Sequence, residues 1–103
     1  MSQIENHWSE VSRIETELQR KMIALGVDWH DETAMRLLAM ECKTFGPAEA
    51  RAAHASHDPK RILKAEIFVL ASLMLQIMGD AALQERDVHG GEAWKAFGKH
   101  LYA

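Results

Sequence analysis

Two histidines and an aspartate stand together in His54-Ala-Ser-His57-Asp58. At i,i+3 on a helix the two imidazoles share a face and could ligate one metal ion, with Asp58 or Glu49 as an oxygen ligand. Metal sites in helical bundles draw ligands from several helices. The chain has no second His-x-x-His or Glu-x-x-His to complete such a site, and His30 or His89 would have to join it. Metal binding through His54 and His57 is therefore the alternative reading. A solvated helix end, with Asp58 engaged as a helix cap, is the simpler one.

The other chemistry-bearing residues are sparser. Cys42 is the sole cysteine, which excludes an intramolecular disulfide framework and fits a reducing compartment. A nucleophilic thiolate needs an imidazole beside it, and a position late in a helix disfavours the anion. A buried thiol is expected. His89-Gly90-Gly91 precedes a helix start and could hold an anion there. Two glycines equally make a flexible turn, which is the expectation.

Lys60, Arg61 and Lys64 crowd the first turns of a helix opened by Asp58-Pro59. Cations at a helix N-terminus oppose the macrodipole, so they are not there for helix stability. They form either a solvated face or a dock for an acidic partner. Met74 and Met78 on the same helix, with Met35 and Met40 on another, fill core gaps or give an adaptable partner surface. Together, Lys60, Arg61, Lys64, Met74 and Met78 are the expected partner-binding residues. No Walker loop, nucleophile elbow, zinc-ribbon spacing or dinucleotide fingerprint occurs. No enzyme activity and no cofactor are expected.

The elements that must position these groups are helices. Residues 67–78 are apolar except for Ser72 and Gln76, which lie four apart on one face. A helix apolar nearly all round must be covered on most sides. This segment, about 59–86, is the expected centre, with Leu70, Leu73 and Ile77 buried and a kink or break at Gly79-Asp80. Before it, Ile4, Trp8, Val11, Ile14, Leu18, Met22 and Leu25 recur in threes and fours. They predict an amphipathic helix begun by a Ser2-x-x-Glu5 capping box, with Arg13, Glu17 and Lys21 outward and Gly26 as the stop. Asp28 or Asp31 caps a second helix with Ala34, Met35, Leu37, Leu38, Cys42 and Phe45 on its apolar side. Pro47 opens a short Ala-rich helix to about His57. Trp94, Phe97 and Leu101 are in register on a short final helix.

Composition bounds the rest. The 103 residues suit one domain spanning 1–103, all-α, with four or five helices around the central one. The net charge is −3, with ten Asp/Glu against six Lys/Arg in residues 1–58. That balance lacks the basic excess of a nucleic-acid binder. A helix-turn-helix can be drawn over residues 31–57, with Gly46 at its turn. Its second helix offers Arg51 and no Asn, Gln or Lys to read bases, so it is the weaker alternative. No signal peptide is visible, and the longest apolar run, about a dozen residues, falls short of the roughly 20 that cross a bilayer. A cytoplasmic, non-enzymatic protein–protein interaction module results, acting as an accessory subunit or as an inhibitor of the immunity or anti-defence type. Apolar surface left over on the central helix would pair with another protein or with a second copy in a homodimer.

Overall fold

The computed structural model of the chain describes residues 3–84, 88 and 90–102, with side chains from residue 9 onward. Five helices follow in order: α1 (Gln3–Leu25), α2 (Glu32–Thr44), α3 (Pro47–Ser56), α4 (Pro59–Leu83) and α5 (Glu92–Leu101). No strand occurs among the described residues. The chain is an all-α bundle about the long helix α4. At 1.5 Å per residue α4 is roughly 37 Å long, close to the longest dimension of the molecule, 43 Å. The radius of gyration, 13.9 Å, agrees with the value of about 13 Å expected for a compact chain of this length.

Local chemistry sets most boundaries. Gly26 takes a positive φ of 74°, the left-handed conformation that glycine adopts without a Cβ penalty. Its N–H donates to Ile23 C=O and the Val27 N–H donates to Met22 C=O, the paired bonds of a Schellman stop. Of the two possible caps for α2, Asp31 is the one used, its carboxylate accepting the Ala34 N–H at 3.1 Å. Asp28 instead accepts the His30 N–H at 2.9 Å in the loop before it. Asp58 caps α4 by accepting the Lys60 N–H at 3.0 Å, with Pro59 at N1. The Gly79-Asp80 pair does not divide α4, which continues to Leu83. The tertiary support of its flanks outweighs the roughly 1 kcal/mol that an interior glycine loses. The Ser2 capping box, and residues 85–86 at the expected end of the central helix, lie outside the described residues.

The core is one cluster drawn from four helices. Val11, Ile14, Leu18 and Met22 of α1 meet Met35 and Leu38 of α2 and Ile67, Ala71, Met74 and Ile77 of α4. Trp94, Phe97 and Leu101 of α5 complete it. α1 is the most extensive neighbour of α4, and α3 and α5 add further cover. The apolar side of α2 packs chiefly on α5 instead of on α4. Half of the ten residues of α5 are buried, so this short helix is as much a core element as the long one.

Two tertiary features differ from the sequence reading. Ile77 is buried as expected, but Leu70 and Leu73 are only partly buried. The reason is geometric. Beyond the buried Ala65 and Phe68, the side of α4 shared by Ser72 and Gln76 faces solvent. Leu73 lies beside that face, as does Val69, which is 58% exposed. The apolar run of a dozen residues also understated the helix. By length and composition α4 is long and apolar enough to cross a membrane. Seven of its residues are nevertheless buried against the other helices, as they are in a core helix.

A helix in need of an N-terminal partner finds one at long range. Gly91, the N-cap of α5, has no side chain to offer. The Glu15 carboxylate of α1 reaches across, accepting the Gly91 N–H at 2.7 Å and the Trp94 N–H at 3.0 Å. A Cβ at Gly91 would sit 2.6 Å from Glu15 Oε2, so a larger residue there would make the carboxylate shift.

Two stability outcomes follow. Leu18 is fully buried, so Leu18→Ala should lose about 2–5 kcal/mol, whereas the half-exposed Leu73→Ala should lose under about 2 kcal/mol. Glu15→Ala should lose about 0.5–2 kcal/mol through the lost cap. For a chain of this size each kcal/mol lowers the melting temperature by roughly 4–8 °C, so calorimetric melts rank the three variants directly.

Candidate functional site

An open concavity lies where α2 ends, α3 runs and α4 begins. It is an open cleft of about 190 Å³ lined by Phe45, Glu49, Ala52, Ala53, Arg61, Lys64 and Phe68. Its floor is the Phe45–Phe68 ring pair, with centroids 4.8 Å apart and planes tilted by 59°. The wall from α3 is low because α3 is Ala-rich: Ala52 and Ala53 leave space that larger side chains would fill. Gly46 and Pro47 start α3 at the required angle, with the Glu49 carboxylate accepting the Gly46 N–H at 3.0 Å.

The cations of the cleft come from α4. Arg61, Lys64 and Phe68 are spaced i,i+3,i+7, which places them on one face of the helix. Lys64 reaches Glu41 of α2 at 2.9 Å, a pair about half exposed on both sides. Such a surface pair contributes little, about 0–1 kcal/mol, but it engages the Lys64 charge and joins α2 to α4. Arg61 is exposed and forms no ion pair among the described residues. Lys60 is also exposed, outside the cleft lining.

The structure thus brings two of the expected partner-binding residues, Arg61 and Lys64, into one cleft and separates the methionines from it. Met74 is fully buried and fills the core, so it offers no surface to a partner. Met78 is half-buried, beside Gly98 of α5. Both face inward because α5 crosses α4 at that level. Phe45, Phe68 and Ala52 were not singled out in the sequence reading. The available signal was the i,i+3,i+7 spacing of Arg61, Lys64 and Phe68 opposite a helix of small residues.

His54 and His57 are exposed at the end of α3. His57 adopts the left-handed conformation, φ 55°, at the C-cap of α3, its N–H donating to His54 C=O. Asp58 is engaged as the α4 cap. Among the described residues no group of three or more His, Cys, Asp or Glu side chains is placed to hold a metal ion. His89 lies outside the described residues. Burial pushes the Cys42 thiol up, with Lys43 opposing the shift, which moves it away from the thiolate a nucleophile needs. A flexible turn is the expectation at Gly90-Gly91; the Gly91 N–H instead donates to the Glu15 carboxylate, so the anion at this helix start is the chain's own.

Further polar ties join elements distant in the chain. Lys21 was read as outward-facing, but its ammonium lies between Glu17 at 3.2 Å and Glu66 of α4 at 3.3 Å. Burial pulls its pKa down, and the hydrogen bonds to the two carboxylates outweigh that and leave it raised. His30 is held between Asp28 at 2.9 Å on Nδ1 and Glu92 of α5 at 3.2 Å on Nε2. The Asp28 hydrogen bond, then that of Glu92, raises the imidazole pKa, while Asp28 is lowered chiefly by the His30 backbone N–H. Glu32 at the start of α2 pairs with Lys99 and with His100 near the end of α5.

No family model matches this chain, and no curated protein or solved structure matches it either. Its function is read from its own surface.

The His30 contacts carry a pH dependence of known sign. A histidine whose folded pKa is raised contributes stability below its unfolded pKa of about 6.5, and loses it as pH rises through the folded value. The wild-type melting temperature should therefore fall, relative to that of His30→Gln, between about pH 6 and pH 8. A difference between the two proteins that stays constant across that range would show the imidazole to be uncoupled from folding.

Proposed function

We propose that the protein is a non-enzymatic interaction module that acts by docking on another protein, as an accessory subunit or as an inhibitor of the immunity or anti-defence type. The observation that supports this reading is the set of large apolar side chains left exposed outside the core. Leu37 and Met40, one turn apart on the outer side of α2, are 50% and 57% exposed. Val69 on the outer side of α4 and Leu75 elsewhere on that helix are exposed as well, as is Ile23 on α1. Isolated exposed apolar side chains are ordinary. Apolar residues repeated on the outer sides of packed helices are the composition of an interface core.

No observation favours the alternatives. His54 and His57 have no third ligand among the described residues, and the net charge of −3 opposes phosphate binding. The buried residues of α4 fall in a cluster shared with α1, α2 and α5, which favours a core helix over a bilayer span and a location in the cytoplasm.

Cross-linked native purification from the source cell tests this reading. The wild-type chain should recover a stoichiometric partner. Leu37→Glu with Met40→Glu, or Val69→Glu, should reduce recovery about tenfold or more without lowering the melting temperature, because these side chains are exposed. Light scattering at micromolar concentration decides whether a second copy is that partner. Equal recovery by wild type and both variants, or recovery of nothing by the wild type, would overturn the reading. Retention of the chain in alkali-washed membranes would overturn the cytoplasmic location.

A further inference from the structure

The cleft between α2, α3 and α4 narrows the class of partner. Its volume of about 190 Å³ is below the roughly 300–1,000 Å³ of sites that enclose a cofactor or a drug-sized ligand. It suits one side chain. Its floor is aromatic and its α3 wall is alanine, so that side chain is apolar. The polar groups at its rim are unequal. Lys64 is engaged by Glu41 and Glu49 by the Gly46 N–H. The Arg61 guanidinium is exposed, on the rim of the cleft, and without an ion pair among the described residues. It also stands in the first turn of α4, where a cation opposes the helix dipole. Local helix stability therefore does not account for it, whereas an incoming carboxylate would be favoured by both the guanidinium and the dipole.

We propose that this cleft seats one apolar side chain from an acidic segment of the partner protein, with a neighbouring carboxylate of that segment on Arg61. The proposal rests on the partner-binding reading and specifies where and how one part of the partner docks. An apolar anchor in a small pocket with a charge-assisted bond at its rim is the usual makeup of an interface hot spot. The chain as a whole is acidic, net charge −3, whereas at this cleft both lining cations, Arg61 and Lys64, stand beside the single lining carboxylate of Glu49.

The test uses the full chain, isotopically labelled for amide NMR, and four probes. These are a capped acidic peptide with a Leu-Phe pair between glutamates, the same peptide with lysines for glutamates, the same peptide with alanines for Leu-Phe, and hexanoate. The acidic Leu-Phe peptide should shift the amide signals of Phe45, Ala52, Ala53, Arg61 and Phe68. The lysine and alanine peptides should not. Arg61→Glu should weaken binding roughly tenfold or more, and the same variant should reduce partner recovery from cells. That variant replaces a cation at a helix N-terminus with an anion, a change that favours the helix, and an unchanged melting curve verifies its fold. Equal shifts from the lysine peptide would overturn the charge assignment, and equal affinity for hexanoate would overturn the choice of a protein segment. Peptides that leave these signals unmoved, while Arg61→Glu still recovers the partner at the wild-type level, would overturn the cleft and leave the partner-binding reading standing. Failure of the wild-type chain to recover any partner would instead remove the reading on which the cleft proposal rests.

Discussion

The start of α5 is capped by one carboxylate placed far from its target in sequence. Glu15 on α1 accepts the backbone N–H groups of Gly91 and Trp94 at the start of α5. α5 is ten residues long, and isolated helices shorter than about 12–15 residues are marginal in water. Its own N-cap is a glycine. The carboxylate satisfies donors that would otherwise be left open, and its charge complements the positive end of the helix dipole. Once α5 is held there, Trp94, Phe97 and Leu101 are committed to the core, and α2 has a surface to pack on. The ties of His30 to Glu92 and of Glu32 to Lys99 and His100 then join the region around the start of α2 to both ends of α5. Apart from the largely buried His100 they are solvent-exposed and individually weak, so they secure an arrangement that burial has already made.

The same arrangement accounts for the surface left over. Because α5 takes the apolar side of α2, α2 gives α4 little cover. Ala65 and Phe68 near the start of α4 are buried, but beyond them the side of Ser72 and Gln76 remains in solvent. The two polar residues mark that side, and Val69 and Leu73 share it. Exposure of apolar groups on α4 is thus a consequence of how few helices are available to a chain this short.

The α2–α3–α4 cleft has a parallel origin. α3 contributes a backbone with almost no side-chain bulk, so it closes the bundle without filling the space over Phe45 and Phe68. Lys64 serves as a strut between α2 and α4. Arg61, one turn earlier, has no such duty among the described residues, which leaves a guanidinium beside an apolar hollow.

What the sequence by itself determined are the features that depend on near neighbours in the chain. The 3.6-residue spacing of Val11, Ile14, Leu18 and Met22, the stop at Gly26, the cap-and-proline starts at Asp58-Pro59 and Gly46-Pro47, and the register of Trp94, Phe97 and Leu101 all act within a few residues, and the helices follow them. The basic turn at Lys60, Arg61 and Lys64 was legible too, because its conflict with the helix dipole is local. What only the tertiary structure decided is which apolar faces meet. Hydrophobic burial is non-directional, so no pattern within α4 states that Met74 goes inward, that Leu73 stays half outside, or that α2 packs on α5. The partners of Glu15, Lys21 and Lys64 were equally hidden, because groups separated by up to 79 positions become neighbours only once the packing of the helices brings them together.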